Sequence, residues 1–139
     1  TTEGGLDIVS EKNKIKNLVS DFKKNGIIVS LFIDPEKDQI NASKFCGADF
    51  IEIHTGAYAN EKTEQGRLKE LDRIKKAVNY ACKKKLRVNA GHGLNYINVR
   101  PIAGIEEIEE LNIGHSIISR AVFVGLERAV KEMIQLIRN

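Results

Sequence analysis

The sequence predicts an α/β protein of four β/α units with parallel strands. Three observations carry that reading. Short apolar runs alternate with longer stretches of helical periodicity along all 139 residues, and strands separated by helices run parallel with right-handed crossovers. The first run is nearly continuous in β-branched and aromatic residues, as suits a strand covered on both faces. All three histidines, His54, His92 and His115, stand just past such a run. That places them at the carboxyl ends of strands, where α/β proteins bind ligands.

Taken in order, a helix comes first. Ile15, Leu18, Val19 and Phe22 fall at helical spacing, with Ser10 as candidate N-cap, Glu11 in the first turn and Asn25-Gly26 as the stop. Ile27 to Ile33 is the first strand. Asp34-Pro35-Glu36 then restarts a helix, with Asp34 as N-cap and Pro35 at the first helical position, and Gly47 ends it. Phe50 to His54 is the second strand. Thr63 caps a long helix carrying Leu68, Leu71, Ile74, Val78 and Ala81. Leu86 to Ala90 is the third strand, and a short helix covers Val99 to Ala103. Leu111 to Ile113 is the fourth strand. A short helical turn follows from about Ser116, and a final helix runs from Leu126 to Arg138 with Val130, Met133, Ile134 and Ile137 on one face.

Composition narrows the class. The chain is 42% hydrophobic and 29% charged, which fits one soluble domain with its own core. No apolar stretch approaches the roughly 20 residues of a membrane span. The net charge of +3 is spread over interleaved acids and bases, unlike the one-sided basic surface of a nucleic-acid binder. Lys83-Lys84-Lys85 reads as macrodipole compensation at a helix end. Cys46 and Cys82 lack metal-type spacing and read as buried or half-buried thiols of a reducing compartment. The chain opens TTEGGLD without a methionine, so it reads as the middle of a longer protein.

Side-chain parity separates two architectures. Ile51 and Ile53 oppose Phe50, Glu52 and His54; Leu86, Val88 and Ala90 oppose Arg87 and Asn89; Leu111 and Ile113 oppose Asn112. Sheets covered by helices on both faces seldom tolerate Glu, Arg and Asn along one of them, because an unpaired buried charge costs several kcal/mol. A barrel interior opening into a polar site tolerates them near its mouth. A whole (β/α)8 TIM barrel needs roughly 250 residues, so this chain is expected to supply about half of one.

Four constellations could carry chemistry. Glu52 and His54 share a strand face as an acid/base pair or charge stabiliser; the bland alternative is a buried ion pair. Asn89-Ala90-Gly91-His92-Gly93 sets a histidine between glycines that permit close backbone approach and positive φ; the bland alternative is a tight turn. Asn112-Ile113-Gly114-His115-Ser116 resembles a phosphate cradle at a helix start. Thr1-Thr2-Glu3-Gly4-Gly5 is a candidate loop over a phosphate or sugar. Asp34 is explained by capping and assigned no chemistry. No His/Cys/Asp set has convincing metal spacing, and no metal is expected.

Together, TTEGGLD, VSLFID, FIEIHTGAYA, VNAGHGLNY and LNIGHSIISRAV, in that order, resemble the C-terminal half of the pyridoxine 5'-phosphate synthase family. The resemblance covers the whole chain. It implies a (β/α)8 barrel with additional helices, assembled as a homo-octamer in the bacterial cytoplasm. It also implies condensation of 1-deoxy-D-xylulose 5-phosphate with 3-amino-2-oxopropyl phosphate to pyridoxine 5'-phosphate, phosphate and water, with no metal or redox cofactor. Carried onto matching positions, His92 is the proton donor and Glu52 stabilises charge in the transition state. Gly93, Gly114 and His115 bind the amino-ketone phosphate, and Thr1 contacts the deoxyxylulose phosphate. His54 receives no role. Nothing here matches the family's first four strands, so the isolated segment is expected to be inactive. The competing readings are a non-catalytic half-barrel module binding a phosphorylated ligand, and a different barrel enzyme acting on sugar phosphates.

Overall fold

The computed structural model describes residues 4–138, so Thr1 and the start of its loop lie outside the described residues. The elements run α1 (Lys12–Lys24), β1 (Ser30–Ile33), α2 (Lys37–Cys46), β2 (Phe50–His54), α3 (Gly56–Asn60), α4 (Glu64–Lys83), β3 (Arg87–Gly91), α5 (Val99–Ala103), β4 (Ile108–Asn112), α6 (His115–Val124) and α7 (Leu126–Arg138). The four strands form one parallel sheet in the order β1-β2-β3-β4. Each new strand joins on the same side as the last. A doubly wound sheet reverses its order at a switch point; this sheet does not, and is a singly wound arc like part of a barrel wall.

The parity reading holds. Leu31, Ile33, Ile51, Ile53, Val88 and Ala90 are buried in one core cluster, with Ile40 from α2 and Ile74, Val78 and Ala81 from α4. The register brings Phe32 beside Glu52, Glu52 beside Asn89, and Asn89 beside Glu110 on the opposite face. At the amino end of that face the Arg87 guanidinium stacks 4.0 Å from the Phe50 ring centroid.

Local chemistry explains most element ends. Thr63 caps α4 by accepting the Gly66 N–H at 3.1 Å. Gly47 closes α2 in the left-handed region, at φ 84°. Two expected caps fail. The Ser10 hydroxyl donates to Asp7 instead of capping α1. Asp34 does not cap α2 either: the Glu36 N–H folds back onto the Asp34 carbonyl at 2.7 Å, which delays the helix to Lys37 and frees the Asp34 side chain.

Other differences have simple causes. Ile27 and Ile28 are 50% and 69% exposed and precede β1 rather than belong to it. Leu68 is 59% exposed on α4. β4 begins at Ile108, earlier than Leu111: Ile108 and Glu110 pair with β3 while Glu109 falls at the register slip, and the two glutamates give no apolar signal. The pairing of β3 with β4 also slips between Val88 and Asn89. The short turn expected from Ser116 is the ten-residue α6, in which Ser116, Ser119 and Arg120 share one helical side. The short α3 gave no periodic signal. Cys46 is buried, Cys82 is half-buried, and burial pushes both thiols up.

Candidate active site

A cleft of about 550 Å³ opens at the carboxyl ends of the strands. It is lined by Phe32 of β1, Glu52 of β2, the turn His92–Asn95 after β3, and Asn112–Ser116 at the end of β4 and start of α6. Glu52, His92, Gly93, Gly114 and His115 therefore meet at one cleft, although three different segments carry them.

Glu52 is half-buried on the inner face. Burial pushes its carboxyl above the usual range, against a hydrogen bond from Asn112 and the nearby imidazoles of His54 and His92, which act the other way. Gly91 makes room for it. A Cβ at Gly91 would collide with Glu52 Oε1 and stand 3.0 Å from the Asn112 carbonyl oxygen.

His92 occupies the left-handed region at φ 79°, which is unusual for a side chain of its size. Such strain of about 1–3 kcal/mol persists only where the surroundings enforce it. Here they do. Buried Thr55 donates its hydroxyl between the Gly91 carbonyl at 2.8 Å and the His92 carbonyl at 2.6 Å, and its own N–H reaches the Gly91 carbonyl at 2.9 Å. Asn98 donates to the Gly93 carbonyl at 3.1 Å, and Ser116 to the Leu94 carbonyl at 2.8 Å. Gly93 follows at φ 75° with its Cα face against Ala59, so both residues of the turn are left-handed.

The first hydrogen bond inside α6 runs from Ile118 N–H to the Gly114 carbonyl at 3.0 Å. The amides before it belong to the first turn, whose N–H groups have no intrahelical acceptor and favour anions. A Cβ at Gly114 would meet nothing within 4 Å, so the space above this helix start is open. His115 is exposed at the lip.

His54 points its Nδ1 at Asp34 Oδ1, 2.8 Å away. The Glu52/His54 pairing expected from their shared face is replaced by an Asp34/His54 pairing, so the Asp34 side chain, read as a helix cap, instead holds His54. Sequence reasoning also passed over Thr55 and Asn98, and it placed Asn112 in the phosphate cradle without its hydrogen bond to Glu52. Asp34 had a readable signal: it shares parity with Phe32, on the strand that pairs with β2. Thr55 had none, because its role is a contact with a turn 36 residues away. Among the described residues no group of three His, Cys, Asp or Glu side chains could hold a metal ion, and no helix is long and apolar enough to cross a membrane.

The family model for the pyridoxal phosphate biosynthesis protein PdxJ matches residues 1–139. The chain belongs to this family. It is 60% identical over 139 residues to a pyridoxine 5'-phosphate synthase of Sulfurihydrogenibium sp., covering 100% of this chain and 57% of that relative. It is 54% identical over 139 residues to the synthase of Trichlorobacter lovleyi, covering 100% of this chain and 58% of the relative, and 52% identical to that of Blochmanniella pennsylvanica, covering 57% of it. The chain thus spans little more than half the length of these relatives. The stretches FIEIHTG, NAGHG and NIGHS each supply residues to the cleft, beside Phe32 of β1.

Proposed function

We propose that this chain is the C-terminal half of the barrel of a pyridoxine 5'-phosphate synthase. The complete enzyme condenses 1-deoxy-D-xylulose 5-phosphate with 3-amino-2-oxopropyl phosphate to pyridoxine 5'-phosphate, phosphate and water. One observation carries the reading: in a PdxJ-family chain, a half-buried carboxylate, a strained imidazole and an open helix start face the same cleft.

Two phosphorylated substrates need anion sites, and ring closure needs repeated proton transfers. The α6 amides, with Gly93, Gly114 and His115, bind the amino-ketone phosphate. His92 donates a proton to the departing oxygen. Glu52 stabilises positive charge developing beside it, and burial holds its carboxyl above the usual range. Thr1 contacts the deoxyxylulose phosphate. The strain at His92 favours catalysis over a plain binding module, since a module has no need of a constrained titratable ring. The octameric assembly, the cytoplasmic location and the absence of a metal or redox cofactor rest on the family resemblance alone.

The test supplies both substrates to the full-length protein and follows pyridoxine 5'-phosphate by chromatography. Turnover by the wild type and a loss of about a hundredfold or more in His92→Ala are expected. No product from the wild type would overturn the function, and wild-type turnover by His92→Ala would overturn the role of His92.

A further inference from the structure

His54 is the one histidine to which the proposed reaction assigns nothing, yet it is the most tightly held. Its side chain is 12% exposed, and it lies between three groups. Asp34 accepts from Nδ1 at 2.8 Å. The Phe32 ring stands edge-on at 5.1 Å between centroids, and the His92 ring lies at 4.8 Å, tilted by 57°. A carboxylate only accepts hydrogen bonds, so Nδ1 carries a proton and a neutral His54 has its lone pair on Nε2. That atom is buried and has no hydrogen-bond partner among the described residues. Buried polar atoms without partners are rare and costly, and a retained one calls for a use.

The position of Nε2 suggests the use. Gly56 opens α3 directly beneath both imidazoles. A Cβ there would stand 2.6 Å from His54 Nε2 and 3.1 Å from His92 Cδ2. A side chain at position 56 would thus press on the Nε2 edge of His54 and on the edge of the His92 ring together, and glycine lets the two rings approach each other.

We propose that Asp34 and His54 form a positioning pair for His92, in which Asp34 orients the His54 ring and the negative Nε2 edge of that ring stabilises His92 in its protonated form. The inference rests on the reading of His92 as proton donor. Beside Asp34 itself, the titratable groups nearest His54 are Glu52 on β2 and His92 after β3, while His115 at the start of α6 lines the cleft. The Asp34 charge and the Nε2 lone pair act in the same direction, because both favour positive charge on the donor. Neither His54 nor Asp34 lines the cleft, so both act through His92 rather than on substrate.

Two variants of the full-length enzyme separate this from simple packing. His54→Asn keeps an amide that can donate to Asp34 but removes Nε2. Asp34→Asn keeps an acceptor for Nδ1 but removes the charge. In both, kcat falls about tenfold, KM for each phosphate stays within about twofold, and the alkaline limb of the kcat–pH profile moves to lower pH. Circular dichroism melting identifies a variant that has lost its fold, and the other variant then carries the test. Overturning results are a wild-type kcat and pH profile in folded His54→Asn, or a limb displaced to higher pH, which would mean that His54 competes with His92 for the proton. A wild-type enzyme without product would instead remove the function on which the inference rests.

Discussion

Toward the carboxyl end of β2 its two faces differ in burial and charge, although they alternate residue by residue. Ile51 and Ile53 point into the helix layer and are fully buried. Glu52 and His54 point to the inner face, half-buried, one with a raised carboxyl and the other with an Nε2 that has no partner among the described residues. The apolar face lowers the free energy of the fold by removing surface from water, about 25 cal/mol per Å². The polar face forgoes that gain, and His92 beside it adds backbone strain. The contrast teaches that this strand stabilises with one side and prepares a reactive site with the other, so substitutions on the two faces should have opposite signatures.

Ile53→Ala should break the comparison hardest on the stability side. A cavity in the core costs about 2–5 kcal/mol, read by chemical denaturation, while turnover per folded full-length molecule stays near wild type. Gly91→Ala should act on the other face. The new methyl displaces the Glu52 carboxylate, so kcat falls by about tenfold to a hundredfold, and the loss of stability stays below that of Ile53→Ala. If the melting curve moves further than for Ile53→Ala, the two faces are not functionally distinct.

Glu52→Gln sharpens the contrast. Because the folded carboxyl titrates above its unfolded value of about 4.3, the native state holds its proton more tightly. Stability from this group is then present at low pH and declines as pH rises through the raised folded value. The amide variant escapes that decline. It should therefore melt a few degrees above wild type at neutral pH and match it below about pH 4, while losing turnover. Arg87→Ala should give the smallest effect. Its pair with Glu109 lies on exposed side chains, so a change of about 1 kcal/mol or less in denaturation, with unaltered kcat, is expected.

The core was the most legible part. Periodicity of two in the strands and of 3.6 in α4 places Ile51, Ile53, Val88, Ile74 and Val78 inside without reference to contacts. Glycine and threonine marked Gly47 and Thr63 as ends because their effects are local. The cleft was partly legible: strand ends and glycine-flanked histidines point to His92 and Gly114, and parity points to Glu52. Asp34 was misread because its local role as a cap competed with a partner on another strand, and a linear reading weighs neighbours first. Thr55 was invisible because a hydroxyl clamping the Gly91–His92 turn has no periodicity to betray it.

The sequence by itself determined the α/β class, the helix-facing side of each strand and the rim where the histidines gather, since these follow from alternation, chirality and turn chemistry within a few residues. Only the tertiary structure decided the sequential strand order, the left-handed backbone at His92, the room beside Gly91 and Gly56, and the choice of Asp34 over Glu52 as partner of His54. Those outcomes depend on hydrogen bonds and steric limits between segments 20 or more residues apart, which carry no repeating pattern along the chain and exist only once the sheet has brought the segments together.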